Sequence, residues 1–210
     1  MTDNETAEFD APTNLFTAHL PIGETLPPPV DGIPFWDVCP YDGDVRIKVL
    51  EPPVLPEPPR HGEDPSACRC VTRPHEGVIW TDGAWTVTHS GEPTTIPMVM
   101  LNTAGHYDLA DMPADLILQL GPMTQRIERA MLRLGGIGRV HTSRWGDGSA
   151  HFHQWFFGRP EGMMQLRGTC LPLWDDVLPN MPVDLWVGAM AAIGESLAAD
   201  GGEAFPVQRA

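Results

Sequence analysis

Proline placement disfavours helices over the first third of this 210-residue chain. Much of the proline lies before residue 75. The run EPPVLPEPPRHGEDP at 51–65 cannot form a helix, because proline lacks a backbone N–H and biases the preceding residue towards extended backbone. We therefore predict that residues 1–66 form a Pro-rich N-terminal arm or extension that packs on a domain. Within it, the alternation of Val45, Ile47 and Val49 predicts one short strand.

The charge balance disfavours several classes of partner. The formal net charge is −15, and an acidic surface disfavours non-specific binding to nucleic acid or to an anionic membrane. No apolar run approaches the roughly 18 residues of a membrane span, and the polar N-terminus lacks the pattern of a signal peptide. We predict a cytoplasmic protein with no nucleic-acid and no membrane partner.

Strand patterns begin at about residue 77. The stretch GVIWTDGAWTVTH at 77–89 predicts two strands around a turn at Asp82-Gly83. The apolar run IPMVMLN at 96–102 predicts a strand that is buried on both faces. Two later stretches, IGRVHTSRW at 137–145 and HFHQWFFG at 151–158, predict two further strands.

A long helix is predicted between these strands. Asp111 and Pro113 are start signals, and Gly135-Gly136 is an end signal. Apolar residues recur between them at three- and four-residue steps: Leu116, Leu120, Met123, Ile127, Met131 and Leu134. Gly121-Pro122 predicts a kink or a delayed start.

The order of these elements predicts the fold class. Strands, a long helix and further strands are typical of an α+β fold, with a mainly antiparallel sheet and the long helix packed on it. We predict a domain over 67–164 and a C-terminal extension over 165–210 with one helix, at about 183–199.

The stretch HFHQWFFGR at 151–159 carries the strongest chemical signal. Side chains alternate between the faces of a strand, so His151, His153, Trp155 and Phe157 are predicted to share one face. Two imidazoles about 7 Å apart suit a nucleophile with a neighbour that orients it or holds a metal. The alternative is a surface His-x-His pair without function.

This stretch resembles the signature strand of the histidine triad (HIT) superfamily, His-φ-His-φ-His-φ-φ, in which φ is apolar. His151 and His153 match its first two histidines, and Arg159 matches a trailing arginine. The upstream strand PMVMLN, the loop GHYDLADMP and the stretch GRVHTSRWGDGSA resemble the family in order, over roughly residues 68–160. The resemblance implies a two-layer HIT-like α+β fold, a homodimer, and hydrolysis or transfer of a nucleotidyl group from a nucleoside phosphate or phosphoramidate.

The resemblance also implies catalytic roles. His153 matches the histidine that forms the covalent nucleotidyl intermediate, and His151 would orient the site or bind metal. Trp155 replaces the third histidine, and an indole N–H cannot shuttle protons at neutral pH. The leaving-group proton would then come from the substrate or from His141. The alternative is a non-catalytic nucleotide-binding or interaction protein with a degenerate triad.

Further residues are predicted to contact the substrate. The backbone N–H groups of the turn GDGSA at 146–150 could bind phosphate oxygens, and an arginine could pair with an anionic substrate. The candidate substrate-binding residues are Arg144, Asp147, Gly148, Ser149, Arg159 and Asn102. For Asn102, the alternative is a cap at the end of a strand.

The cysteines suggest a metal site, since close cysteines in a cytosolic chain indicate metal or redox chemistry more than disulfides. The family resemblance implies a zinc set of Cys68, Cys70, His106 and His151. The Cys-x-Cys spacing is tighter than the usual Cys-x-x-Cys, so one cysteine could be replaced by Cys39 or His75. The alternative is two unpaired thiols and a His106 that caps a helix. Cys170 is predicted to be a buried small hydrophobe.

Overall fold

A six-stranded antiparallel sheet organises the chain. The computed structural model describes residues 15–22, 41–42, 46–47, 56–166 and 168–207. The strands of the sheet are β3 (Val78–Thr81), β4 (Trp85–Thr88), β5 (Met98–Thr103), β6 (Ile137–Ser143), β7 (His153–Pro160) and β8 (Glu203–Ala204). Their order is β6-β7-β5-β4-β3-β8, and every neighbouring pair is antiparallel. The predicted α+β class is confirmed.

Within the described ranges, four α-helices accompany the sheet: α1 (Arg69–Thr72), α2 (Ala114–Leu132), α3 (Leu171–Val177) and α4 (Val183–Ala198). The helix expected at about 183–199 is confirmed as α4, while α3 is a second helix of the C-terminal segment that the sequence pattern did not predict. None of the helices in the described part of the chain combines the length and apolarity that a membrane span needs.

Two short strands lie outside the main sheet. They are β1 (Tyr41–Asp42) and β2 (Arg46–Ile47), which pair with each other. Residues 46–47 fall in the strand predicted around Ile47, whereas Val45 and Val49 lie outside the described residues.

The long helix α2 follows its predicted apolar period. It buries Leu116, Met123, Ile127, Ala130 and Met131. The helix begins at Ala114 and continues past Pro122, so the delayed start is not observed. Gly135 and Gly136 have φ values of 73° and 68°, a left-handed conformation that ends the helix because only glycine adopts it without steric cost.

The main core lies between one face of the sheet and the helices α2 and α4. Alternate side chains of β4, β5 and β7 point into it, including Val87, Leu101 and Phe156, which are fully buried. The strand β5 was predicted to be buried on both faces, and this is wrong: Met100 and Asn102 are only half-buried on the opposite face. That opposite face therefore has room for a site.

A second, smaller core covers part of the opposite face. It consists of Leu20, Ile96, Met98, Phe157, Leu166 and Leu171. Cys170 does not join it, and it is exposed at the N-terminal end of α3. The prediction of a buried Cys170 is wrong. The part of the face that this second core leaves open lies beside His153.

Candidate metal centre and adjacent cavity

Four predicted ligands come together from three distant parts of the chain. Cys68 precedes α1, and Cys70 lies within it. His106 lies in the loop between β5 and α2, and His151 lies two residues before β7. One ligand atom from each residue lies within 4.8 Å of the other three. The tight Cys-x-Cys spacing is compatible with convergence because the short helix α1 turns both thiols towards the histidines. His75 is not part of this cluster, and Cys39 lies outside the described residues.

The distances within the cluster match a tetrahedral zinc site. The Sγ of Cys68 lies 3.6 Å from Nδ1 of His151, and the Sγ of Cys70 lies 3.7 Å from Nδ1 of His106. With zinc–sulfur bonds of about 2.3 Å and zinc–nitrogen bonds of about 2.0–2.1 Å, a tetrahedral angle separates sulfur and nitrogen by about 3.6 Å. These two sulfur–nitrogen distances therefore fit a Cys₂His₂ zinc site.

Hydrogen bonding prepares His151 for metal ligation. Its Nε2 lies 2.9 Å from the carbonyl oxygen of Thr103, which can only accept, so Nε2 carries the proton. The lone pair is then on Nδ1, which faces Cys68. A ligating histidine usually donates its other N–H in this way. Burial lowers the pKa of His151, which favours the neutral imidazole that metals bind.

The two thiols differ in exposure, with Cys68 buried and Cys70 half-buried. Cys68 is 2% exposed, and burial, reinforced by the neighbouring thiol of Cys68, raises the pKa of Cys70 to about 11. The four protein ligands would complete a tetrahedral shell, which is typical of a structural zinc site and not of a catalytic one. The arrangement favours metal ligation over orientation of the nucleophile as the role of His151.

His153 has a different environment from His151. It begins β7, and its backbone pairs with Asn102 of β5. Its Nδ1 lies 2.8 Å from the carbonyl oxygen of His151, so Nδ1–H is the donor and Nε2 carries the lone pair. His151 lies two residues before the strand, but it lines the same cavity as His153 while Phe152 is buried in the main core. The predicted alternation of faces therefore holds from His151, although the strand itself begins at His153.

A cavity of about 730 Å³ contains both histidines in its lining. Its sheet side carries hydroxyl, amide and thioether side chains: Thr81, Thr86, Thr88, Met100 and Asn102. Its other side is formed by α1 and the following loop, which contribute Arg69 and Arg73. Both arginines are exposed, and Arg73 forms a 3.1 Å ion pair with Glu76. Glu76 also lines the cavity and offsets the charge of Arg73, so Arg69 is the cation that could meet an anionic ligand opposite the hydroxyl and amide groups of the sheet.

Trp155 forms one wall of this cavity. Its ring stacks on Phe157 with a centroid distance of 6.1 Å and an interplanar angle of 20°, and it lies 6.5 Å from the ring of Trp145. Trp155 also packs against the second core. The residue that replaces the third histidine therefore seals the cavity from that core, and its side chain has no group that can donate a proton at neutral pH.

The predicted phosphate-binding turn is held by an ionic network. Asp108 accepts hydrogen bonds from Arg60 at 2.8 Å and from Arg144 at 2.5 Å. Burial opposes the ionisation of Asp108, but the hydrogen bonds from Arg60, from the N–H of Leu109 and from Arg144 outweigh it and lower its pKa. Arg144 is thus engaged with a carboxylate and does not line the cavity.

Of the predicted turn residues Asp147, Gly148 and Ser149, only Ser149 lines the cavity. Its Oγ lies 3.3 Å from the backbone N–H of His151. The carbonyl of Gly148 accepts from the N–H of His61 at 3.0 Å, and Asp147 is exposed. Arg60 also donates to the carbonyl of Gly146 at 3.0 Å. Residues 60–61 therefore support the site, although their proline-rich context predicted only an extension.

The remaining predicted residues line two different cavities. Asn102 lines the cavity, and its Nδ2 donates to Thr88 Oγ1 at 3.0 Å. Arg159 and His141 line a different cavity, towards the other end of β7. Arg159 is six residues along the strand from His153, a span of about 20 Å. Arg159 therefore does not line the cavity beside His153, and His141 does not face that cavity as a proton donor.

No protein-family model matches the chain, and no curated protein matches it. Among solved structures, it is similar to a Hit-like protein involved in cell-cycle regulation from Bartonella henselae, with 12% identity, TM-score 0.43, and coverage of 57% of this chain and 85% of that one.

Two further structures are similar at the same level. A zinc-bound histidine triad family protein from Mycobacterium smegmatis has 18% identity and TM-score 0.42, with coverage of 58% of this chain and 84% of that one. A hypothetical histidine triad nucleotide-binding protein from Sulfolobus tokodaii strain 7 has 13% identity and TM-score 0.44, with coverage of 63% and 91%. All three carry the name of the family that the sequence resembles.

Proposed function

We propose that this protein is a HIT-like nucleotide-binding protein that hydrolyses or transfers nucleotidyl groups through a covalent intermediate on His153. One observation carries the proposal. The bond from Nδ1–H of His153 to the carbonyl of His151 leaves the lone pair on Nε2, in a residue that lines a cavity. A neutral imidazole with a fixed tautomer is a competent nucleophile at neutral pH.

The proposed reaction has two displacements at the α-phosphorus. In the first, the Nε2 lone pair of His153 forms a P–N bond while the bond from phosphorus to the leaving group breaks, and the leaving group keeps the electron pair. In the second, water or another acceptor attacks phosphorus, the P–N bond breaks, and His153 regains its lone pair. The carbonyl of His151 stabilises the positive charge that the ring acquires in the intermediate.

Trp155 narrows the class of substrate. A leaving group that departs as an amine or an alcohol needs a proton, and general acid catalysis contributes about 10²–10⁴-fold to such steps. Neither Trp155 nor the distant His141 can supply that proton to the cavity. A phosphate or polyphosphate leaves as an anion without prior protonation. We therefore propose nucleoside polyphosphates as better substrates than alkylamine phosphoramidates.

The rest of the cavity suits such a substrate. Arg69 is positioned to offset phosphate charge, and Thr88 and Asn102 offer hydrogen bonds to a sugar or a phosphate oxygen. The proposed ligands of a structural zinc are Cys68, Cys70, His106 and His151. When bound, zinc would tie the segment that carries Arg69 to the start of β7. We further propose a homodimer in the cytoplasm, as the family resemblance implies.

Turnover of a nucleotide panel tests the proposal. The panel contains dinucleoside polyphosphates, nucleoside triphosphates and nucleoside phosphoramidates, and release of the nucleoside monophosphate is measured. His153→Asn keeps a side-chain N–H at the Nδ1 position and removes the nucleophilic nitrogen, so we expect loss of at least about 10³-fold in rate. Gln154→Ala is the matched control, because Gln154 is half-buried on the opposite face and donates to Thr124.

The control should turn over at the wild-type rate. Equal rates for His153→Asn and the wild type would refute the assignment of the nucleophile. Nucleotide-dependent thermal stabilisation without turnover by the wild type would instead identify a binding protein without catalytic activity.

A further inference from the structure

A second cavity, of about 360 Å³, lies towards the other end of β7 from His153. Its lining includes Gly138, Arg139, His141, Arg159 and Glu161, and we call it the Arg159 cavity. Neither the proposed nucleophile nor the metal cluster contributes to it. It is therefore independent of the proposed function.

A buried cation dominates this cavity. Arg159 is only 8% exposed, and a guanidinium in that position requires compensation for its lost hydration. Its Nη1 donates to the carbonyls of Pro160 at 3.1 Å and Met163 at 3.5 Å. Among the described residues, no carboxylate lies within ion-pair distance of it. Two backbone carbonyls leave most of its five N–H donors available.

A histidine with an unsatisfied nitrogen adjoins this cation. The Nε2 of His141 is buried and has no hydrogen-bond partner in the described part of the structure. Burial lowers the pKa of His141, and the positive charge of Arg159 lowers it further. A buried polar atom without a partner is costly, so a ligand that supplies one would be stabilised here.

The backbone also makes room for the guanidinium. A Cβ at Gly138 would lie 3.2 Å from Nη2 of Arg159 and 3.1 Å from the Cα of Glu161. Arg139 pairs with Arg159 across the β6–β7 ladder, so both side chains lie on the same face of the sheet. Two adjacent cations with one lining carboxylate, that of Glu161, leave a local excess of positive charge in a chain of net charge −15.

We propose that the Arg159 cavity binds a small oxyanion, a phosphate or a carboxylate, held by Arg159 and Arg139 with His141 as a hydrogen-bonding partner. The guanidinium presents a planar fork that matches the oxygens of either group. The oxyanion comes from one of two sources: a free ion or metabolite, or an acidic side chain of a second copy of this chain.

Inorganic phosphate is the probe for the free source. We expect calorimetric binding of phosphate and, in histidine NMR spectra, an upward shift in the pKa of His141, because the bound anion offsets the charge of Arg159. Arg159→Gln should weaken binding by at least about tenfold, as expected for a buried charged hydrogen bond. Arg139 is exposed, so Arg139→Gln should weaken phosphate binding by only about two- to fivefold. This variant tests the site even if Arg159→Gln fails to fold.

Two controls separate this site from the first cavity. Arg129→Gln, on the exposed side of α2, should leave phosphate binding unchanged. His153→Asn should leave the response of His141 to phosphate unchanged, so the site can succeed or fail independently of the proposed catalysis.

Native mass spectrometry distinguishes the second source. The second source predicts that the wild type is a dimer whose dissociation constant does not change with phosphate. It also predicts that Arg159→Gln raises this dissociation constant by at least about tenfold, which would assign the oxyanion to a carboxylate of the second copy. If phosphate leaves the pKa of His141 unchanged and Arg159→Gln leaves the oligomeric state unchanged, the proposal is overturned.

Discussion

Replacing Cys68 with serine is the sharpest perturbation of the metal centre. The change keeps the size of the side chain but replaces a thiolate ligand with a hydroxyl, which is a poor ligand for zinc. We expect one zinc ion per wild-type chain and less than about a tenth of that in Cys68→Ser after dialysis, because the three remaining ligands no longer complete the tetrahedron.

The expected stability effect follows from linkage. The ligands join residues 68–70, 106 and 151, so zinc would oppose unfolding of the whole domain and not of one loop. At free zinc 100 times the dissociation constant, binding stabilises the folded state by about 2.7 kcal/mol. For a chain of this length about 2–4 °C of melting temperature corresponds to 1 kcal/mol, so a chelator should lower the wild-type melting temperature by about 5–10 °C.

The assay compares melting temperatures with and without chelator, which cancels the intrinsic cost of each substitution. Cys68→Ser should show a shift below about 1 °C, while the exposed control Cys170→Ser should shift as the wild type does. X-ray absorption of the zinc-loaded protein should give two sulfur ligands at about 2.3 Å and two nitrogen ligands at about 2.0–2.1 Å. Equal zinc content in Cys68→Ser and Cys170→Ser, or a shell without sulfur, would refute the assignment.

Three further predictions concern other parts of the structure. Trp155→His restores a proton donor, so the turnover of an alkylamine phosphoramidate relative to a polyphosphate should rise by at least about tenfold; an unchanged ratio would show that leaving-group protonation is not limiting. Asp175 has a pKa that burial raises to about 6, so the folded state binds its proton more tightly than the unfolded state does. The contribution of Asp175 to the free energy of unfolding should therefore fall as the pH rises from about 4 to 6, by at most about 3 kcal/mol. Urea titrations should show the stability difference between the wild type and Asp175→Asn falling over this range, because the other carboxylates titrate alike in both. Asp108→Asn should cost about 1–3 kcal/mol and speed amide exchange across 144–149, because Arg60 and Arg144 lose their shared carboxylate; unchanged exchange would argue against the network.

Much of the fold could be predicted because each element carries its own period. The apolar spacing from Leu116 to Met131 fixed the buried face of α2, and Asp82-Gly83 marked the turn between β3 and β4. The burial of β5 was overestimated, because a continuous apolar run does not reveal that Met100 faces a cavity.

The residues of the site could be predicted only where a local sequence pattern determines which face of an element a side chain occupies. A period of two assigns a residue to a face but not to a distance, which is why Arg159 shares the face of His153 yet lies about 20 Å away. His151 continues the alternation in sequence although the backbone leaves the strand there. The support that Arg60 gives Asp108 depends on a contact across 48 residues, which no local pattern encodes.

Intact-protein mass after brief incubation with a dinucleoside polyphosphate tests the central claim most directly. The reaction is stopped in base, because the P–N bond of a phosphohistidine is labile in acid. The wild type should gain the mass of one nucleoside monophosphate less one water, peptide mapping should place it on His153, and His153→Asn should gain nothing. An adduct on another residue, or wild-type turnover by His153→Asn, would contradict the assignment of His153 as the nucleophile.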